Sequence, residues 1–150
     1  MALKSLFLKF YFRAFPSDYY AVASQIEMRG LDPAECLVEV TNPSGPVLNH
    51  DDIITAIESI GDELALVLFP GVQYYTGQVF DMQAITEKAH EVGAICGLDL
   101  AHAVGNVCLR LHEWNVDFAV WCNYKYMNGS PGAMGGAFMH NRSDLRWYTL

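Results

Sequence analysis

Leu64-Ala65-Leu66-Val67-Leu68-Phe69 is an unbroken apolar run closed by Pro70-Gly71, and it decides the fold class predicted for this chain of 150 residues. A strand that is apolar at every position is typical of a parallel sheet covered by helices on both faces. Two similar runs follow at residues 94–98 and 118–122. The sequence therefore predicts an α/β fold in which these three runs are buried strands.

Helical patterns alternate with these strands. A helix is predicted to start at Pro16-Ser17-Asp18, with Ser17 as the N-cap, and to end at Gly30. Two further helices are predicted, one at about 51–60 and one at 82–93, with Asp81 as the N-cap of the second. Because each crossover between parallel strands needs such a helix, the sheet is expected to be mostly parallel and flanked by helices.

Three further strands complete the prediction, at residues 6–15, 36–41 and 133–140. The first overlaps an N-terminal segment, 1–13, that is basic, apolar and free of acidic residues. This composition also resembles a targeting presequence, although Lys9 interrupts its apolar run and no small-residue cleavage site follows. We interpret the segment as a buried strand and keep targeting as the alternative.

Composition narrows the classes of function. With 52% hydrophobic residues, the chain is long enough for one core, so residues 1–150 are expected to form a single domain. The net charge of −8, with only nine lysines and arginines spread along the chain, argues against nucleic acid or an anionic membrane surface as a partner. No stretch approaches the ~20 apolar residues of a membrane span. Four cysteines without a Cys-x-x-Cys pair favour a reducing, intracellular compartment, and the histidine spacing predicts no metal site.

One lysine requires an explanation. Lys125 follows the apolar run 118–122 and is flanked by Tyr124 and Tyr126. Removal from water disfavours the ammonium form, which is how a lysine becomes a base or a Schiff-base nucleophile. The alternative is a side chain whose stem packs on the tyrosines while its ammonium group reaches water. The local pattern leaves both interpretations open.

A carboxylate is expected close to this lysine. Asp99 ends the strand 94–98, and ligands of parallel sheets bind beyond the carboxyl ends of the strands. Pyridoxal phosphate suits such a pair, because its aldehyde needs a lysine amine and its ring nitrogen needs a carboxylate. The helix start at Ser17 and the hydroxyl of Tyr124 are candidate phosphate contacts, and Phe15 is a candidate for stacking on the ring. Asp99 could instead cap the segment that follows it.

Four stretches carry a resemblance to a known family. They are Phe15-Pro16-Ser17-Asp18, Tyr75-Thr76-Gly77-Gln78, Asp99-Leu100-Ala101-His102-Ala103-Val104-Gly105-Asn106 and Trp121-Cys122-Asn123-Tyr124-Lys125-Tyr126-Met127-Asn128. In this order they resemble the kynureninase family over about residues 14–140. The resemblance implies the large domain of aspartate-aminotransferase-type (fold type I) enzymes. It also implies hydrolysis of L-kynurenine or 3-hydroxykynurenine to anthranilate or 3-hydroxyanthranilate plus L-alanine, in tryptophan catabolism and NAD biosynthesis. A cytoplasmic homodimer is expected.

The resemblance also assigns roles to individual residues. Lys125 would form the Schiff base with pyridoxal 5'-phosphate and, once released, move the α-proton of the substrate. Asp99 would pair with the ring nitrogen, and Tyr124 would bind the phosphate. The other expected cofactor contacts are Phe15, Pro16, Ser17, Asp18 and His102. His102 has a second interpretation as a core histidine without a ligand.

Two departures from the family weaken the expectation of activity. Pro70 stands where relatives often carry a serine or threonine that contacts the phosphate. Members of the family are also considerably longer, so the chain would be the central part of their large domain. The alternatives are a non-catalytic fragment that depends on a partner, and a cysteine desulfurase or aminotransferase relative that uses the same cofactor.

Overall fold

The computed structural model describes residues 6–9 and 15–141. Within them the chain forms one six-stranded sheet with helices packed against it. The strands are β1 (Leu6–Lys9), β2 (Leu37–Val38), β3 (Leu64–Pro70), β4 (Ile95–Asp99), β5 (Phe118–Cys122) and β6 (Gly135–Met139). The helices are α1 (Pro16–Glu27), α2 (Pro33–Cys36), α3 (His50–Ile60) and α4 (Met82–Glu91), and a 3₁₀ turn spans Gly61–Glu63.

The sheet order is β2-β1-β3-β4-β5-β6. All neighbouring strands are parallel except β5 and β6, which are antiparallel. No helix connects β5 to β6, so the chain turns back along the same edge and the two strands run in opposite directions. The predicted α/β class with a mostly parallel sheet is therefore confirmed.

The three apolar runs lie side by side in the middle of this sheet. Pro70 pairs with Asp99, and Asp99 in turn pairs with Val120. Val67, Phe69, Cys96 and Leu98 are fully buried. Since the strands are parallel, their carboxyl ends open on one rim, which is where the predicted site residues were expected.

The structure corrects two local predictions. Phe15, not Ser17, occupies the N-cap position of α1, and Pro16 is the first helical residue, where a missing N–H is tolerated. The strand predicted at 36–41 is reduced to Leu37–Val38: Cys36 belongs to the short helix α2, which Asp32 caps by accepting a hydrogen bond from Ala34 N, and only Leu37 and Val38 pair with β1.

Other boundaries agree closely. Asp81 caps α4 as predicted, accepting a hydrogen bond from Ala84 N at 3.0 Å. The first strand is present at Leu6–Lys9, and residues 10–14 of its predicted span lie outside the described residues. Its predicted end at Phe15 is wrong, because Phe15 is the N-cap of α1. No helix in the described part of the chain is long and apolar enough to cross a membrane.

Candidate active site

A cavity of about 390 Å³ opens at the carboxyl ends of β3, β4 and β5. This volume lies within the range of roughly 300–1,000 Å³ that is typical of small-molecule sites. Its walls include seven of the eight residues predicted to contact a cofactor: Phe15, Ser17, Asp18, Asp99, His102, Tyr124 and Lys125. The eighth, Pro16, begins α1 beside them but does not line the cavity.

Lys125 follows β5 and is half-buried. Its Nζ lies 2.9 Å from Nε2 of His102 and 5.8 Å from the centre of the Phe15 ring. The ammonium group of Lys125 is thus surrounded by cavity residues, as expected if this lysine reacts with a ligand bound there. Because the ammonium group can only donate, the neutral His102 ring accepts this hydrogen bond through Nε2.

His102 lies on the turn after β4. Burial, followed by repulsion from Lys125, lowers the pKa of His102 below its usual 6.5, and attraction to Asp99 opposes this only in part. The neutral imidazole is therefore favoured near neutral pH. A neutral His102 ring agrees with the role of His102 Nε2 as the acceptor of the hydrogen bond from Lys125.

Asp99 is the last residue of β4, and its side chain is oriented by the backbone that follows. Its Oδ1 accepts a hydrogen bond from Ala101 N at 2.8 Å. The expected alternative, in which Asp99 caps the next segment, is thus partly realised. A carboxylate has two oxygens, so this contact is compatible with a second one to a ligand in the cavity.

Phe15 is half-exposed at the N-terminus of α1, and its ring meets that of Tyr74 edge to face at 5.4 Å. Ser17 and Asp18 lie in the first helical turn behind it. A helix N-terminus carries unpaired N–H groups and a positive partial charge, which favour an anion such as a phosphate. The structure therefore brings an aromatic surface and a helix N-terminus to the same cavity, where the N–H groups of Asp18 and Tyr19 already donate to Phe15 O.

Tyr124 is 51% exposed beside the cavity mouth. Electrostatic repulsion from Cys122, then burial and a hydrogen bond to Cys122, raise the pKa of the Tyr124 hydroxyl. The phenol therefore stays protonated at neutral pH and can donate a hydrogen bond. Cys122 also lines the cavity, a position that the sequence analysis had assigned only to a strand.

A further wall comes from the loop after β3, which sequence reasoning did not place in the site. Val72, Gln73 and Tyr74 line the cavity. The loop is closed by hydrogen bonds from Gln73 N to Gln78 O and from Gly77 N to Gln73 O, both 2.9 Å. The only sequence signal for it was the Tyr75-Thr76-Gly77-Gln78 stretch within the family resemblance.

Comparison with known proteins assigns the family. The model of the aminotransferase class-V family matches residues 39–137, which include the strands that form the cavity. This chain belongs to that family. Among the described residues, no group of three or more histidine, cysteine, aspartate or glutamate side chains is placed to hold a metal ion.

Curated relatives narrow the resemblance to kynureninases. A kynureninase from Flavobacterium psychrophilum is 55% identical over 131 residues, which is 87% of this chain and 31% of that protein. Kynureninase 1 from Neurospora crassa is 55% identical over 130 residues, or 27% of its length. A kynureninase from Nematostella vectensis gives 55% over 131 residues, or 28% of its length. The chain thus spans about a third or less of the curated relatives it matches.

Solved structures agree in fold. A cysteine desulfurase from Thermococcus onnurineus superposes with a TM-score of 0.72 at 17% identity, covering 91% of this chain and 32% of that one. An alanine–glyoxylate aminotransferase from Nostoc gives a TM-score of 0.70 at 23% identity over 91% of this chain and 34% of that one. At such identities the likeness concerns the fold alone. It confirms the expected large-domain fold of fold type I enzymes and does not favour a desulfurase reaction.

Proposed function

We propose that this chain is the central, cofactor-holding part of a kynureninase-type hydrolase that uses pyridoxal phosphate. The observation that carries the proposal is the convergence of Lys125, Asp99, His102 and Phe15 on one cavity. These residues come from three separate segments of the chain, and each is the residue that the family resemblance selects. The 55% identity to kynureninases supports the choice of reaction within the family.

The residues present fit the cofactor. A lysine amine, a carboxylate, an aromatic face and a helix N-terminus line the same cavity of about 390 Å³. Lys125 would bond to the cofactor aldehyde, Asp99 would face the ring nitrogen, and Phe15 would lie against the ring. Ser17 and Tyr124 would donate hydrogen bonds to the phosphate. Pro70, at the end of β3, has no hydroxyl to add to them.

Bound at this site, the cofactor would supply an electron sink for cleavage of the Cβ–Cγ bond of kynurenine after water adds to the γ-carbonyl. The work of the protein is to orient groups and to move protons. Lys125, whose Nζ lies 2.9 Å from His102 Nε2, would remove or return a proton at the substrate α-carbon. The Asp99 carboxyl group, facing the ring nitrogen, would favour the protonated cofactor ring.

The first experiment asks whether the chain captures the cofactor. We expect pyridoxal phosphate to give the visible absorbance of a lysine-bound aldehyde with the wild-type chain, and reduction with borohydride to fix its mass on Lys125. The variant Lys125→Ala should show neither. Equal absorbance from both proteins would refute the assignment of Lys125.

Turnover is the second measurement. Anthranilate and L-alanine should form from L-kynurenine, with 3-hydroxykynurenine compared in parallel and L-cysteine included to detect desulfurase activity. Cofactor capture without kynurenine turnover would favour the non-catalytic, partner-dependent alternative. Sulfide formation from cysteine would favour the desulfurase one.

Assembly and location are part of the same proposal. By the family resemblance we expect a homodimer in the cytoplasm and a small-molecule substrate, with no nucleic-acid or membrane partner. The net charge of −8 supports the expectation that nucleic acids and anionic membranes are not partners. Sedimentation of the purified chain would measure its oligomeric state, and cell fractionation would locate it.

A further inference from the structure

The turn after β4, residues 100–106, packs directly against the loop that carries Lys125, residues 123–129, which we call the lysine loop. The point of contact is Gly105. A Cβ added to Gly105 would lie 2.7 Å from Tyr126 O and 2.9 Å from Tyr126 C. Since real Cβ atoms essentially never come within 3.0 Å of such atoms, only a residue without a side chain allows this approach. Gly105 also has a φ of +76°, a conformation that L side chains rarely adopt.

Hydrogen bonds hold the turn in place. Leu100 N donates to Val120 O of β5 at 2.8 Å, and Asn106 N donates to Ala103 O at 3.0 Å. The side chain of Asn106 adds a bond from Nδ2 to His102 O at 2.9 Å. Leu100 and Ala103 are fully buried. The turn is therefore anchored to the sheet and to the core, and it cannot move freely away from the lysine loop.

The lysine loop is closed as well. Gly129 N donates a hydrogen bond to Asn123 O at 2.7 Å, which joins the two ends of the loop. Tyr126, whose carbonyl group meets Gly105, is the neighbour of Lys125 in the chain. Because the ends of the loop are joined, a displacement at Tyr126 also displaces Lys125.

The same turn carries the groups that face Lys125. It follows directly on Asp99, whose Oδ1 accepts a hydrogen bond from Ala101 N, and it includes His102, whose Nε2 lies 2.9 Å from Lys125 Nζ. The approach at Gly105 thus sets how far the lysine loop lies from both groups. We propose that Gly105 is a positioning residue for Lys125, because its missing side chain lets the turn and the lysine loop meet at the separation that brings Nζ to His102.

Capture of an aldehyde depends on this separation, and this part of the inference rests on the proposed function. The Lys125 amine adds to the aldehyde carbon and water leaves, so the nitrogen must reach a carbon whose position the other cavity walls determine. A methyl group at Gly105 would push the Tyr126 carbonyl away by at least 0.3 Å, the difference between 2.7 and 3.0 Å. Since a misplacement of ~1 Å can slow a reaction about 100-fold, this displacement predicts a loss of about fivefold.

Gly105→Ala is the direct test, and Gly30→Ala is its matched control. Gly30 has nearly the same φ, +72°, but no atom lies within 4 Å of an added Cβ. Both variants therefore carry the strain of a positive φ, whereas only Gly105→Ala pushes on the lysine loop. Circular dichroism checks that both variants are folded, and urea unfolding measures the loss of stability that they share.

The first readout needs no ligand. Burial and then repulsion from Lys125 lower the pKa of His102 below 6.5, and attraction to Asp99 opposes them in part. A lysine loop that is pushed away weakens both the burial and the repulsion. In Gly105→Ala the pKa of His102 should therefore rise by roughly 0.3 or more toward its usual value. The measurement is an NMR titration of the imidazole protons, and Gly30→Ala should titrate as the wild type does.

The second readout is the rate at which pyridoxal phosphate is captured, followed by its visible absorbance. Gly105→Ala should react about fivefold or more slowly than the wild type, and Gly30→Ala should stay within about twofold of it. A wild-type pKa of His102 in folded Gly105→Ala would overturn the inference, and so would a wild-type rate of capture or equal effects in both variants. If the wild-type chain captures no cofactor, the proposed function fails and the titration alone decides the inference.

Should Gly105→Ala not fold, Asn106→Ala replaces it. Asn106 is exposed, and its truncation releases the hydrogen bond to His102 O that holds the turn together. A smaller rise in the pKa of His102 is then expected, because the loosened turn no longer holds the lysine loop at a fixed distance. A titration identical to that of the wild type would overturn the inference.

Discussion

Gln78 joins the loop after β3 to a distant segment, and replacing it with alanine should loosen one wall of the cavity. Its Oε1 accepts a hydrogen bond from Leu48 N at 3.0 Å, and its Nε2 donates to Leu48 O at 2.6 Å. Leu48 is only 2% exposed, so these two backbone groups depend on the glutamine. The loop that is anchored in this way carries Val72, Gln73 and Tyr74 of the cavity wall.

The size of the effect follows from these contacts. Each neutral hydrogen bond contributes about 1 kcal/mol, so the loss of two predicts a decrease of about 2 kcal/mol in the free energy of unfolding for Gln78→Ala. Leaving both Leu48 groups without any partner would cost more, roughly 1–3 kcal/mol for each group. Gln78 is half-buried, however, and water can replace part of the missing side chain, which favours the smaller value.

Urea unfolding measures the decrease, and titration with pyridoxal phosphate measures its consequence for the site. Gln83→Ala is the control, since Gln83 makes one exposed hydrogen bond to Glu87, and its loss should change stability by less than about 0.5 kcal/mol. Gln78→Glu should be at least as destabilising as alanine at neutral pH, because its carboxylate faces the Leu48 carbonyl. If Gln78→Ala cost no more than Gln83→Ala, the anchoring role of Gln78 would be refuted.

Two further predictions concern packing and pH. A Cβ on Gly135 would lie 2.2 Å from the backbone oxygen of Trp121, so Gly135→Ala should destabilise the β5–β6 pair by about 1–3 kcal/mol in urea unfolding. Gly45→Ala, with no atom within 4 Å of the added carbon, should be neutral or slightly stabilising, and equal losses for both would contradict the contact. The lowered pKa of His102 means that the unfolded chain binds its proton at higher pH than the folded chain does. Stability should therefore fall as the pH drops below about 6.5, and His102→Gln should reduce this dependence; an identical pH profile would contradict the assigned burial and repulsion.

The sequence was sufficient to predict the strands that form the site. The apolar runs at β3, β4 and β5 predicted buried strands, and the structure places them as neighbours, although Val120 of β5 is 45% exposed. This order puts Asp99 and Lys125 on one rim. Of the eight residues that the family resemblance named, all but Pro16 line the cavity, whereas the lining residues Val72, Gln73 and Tyr74 were not named.

Local signals failed where two of them competed. Ser17 is a favoured N-cap residue, but Pro16 before it is better suited to the first helical position, so the helix begins two residues earlier than predicted. At 36–41 the alternation of apolar residues predicted a strand. Instead, Asp32 caps a short helix, Pro33–Cys36, that includes Cys36. Only Leu37 and Val38 then pair with β1.

The sequence by itself determined the fold class, the edge of the sheet on which the site was predicted and the chemistry of the predicted site residues. These follow from local features of the sequence, namely the apolar runs of the strands and the order of the motifs. Only the tertiary structure decided how those side chains meet. The 2.9 Å contact between Lys125 and His102 and the approach of Gly105 to the Tyr126 carbonyl both arise from segments that meet beyond the carboxyl ends of β4 and β5. Periodicity cannot encode such distances, since they depend on how separate elements pack.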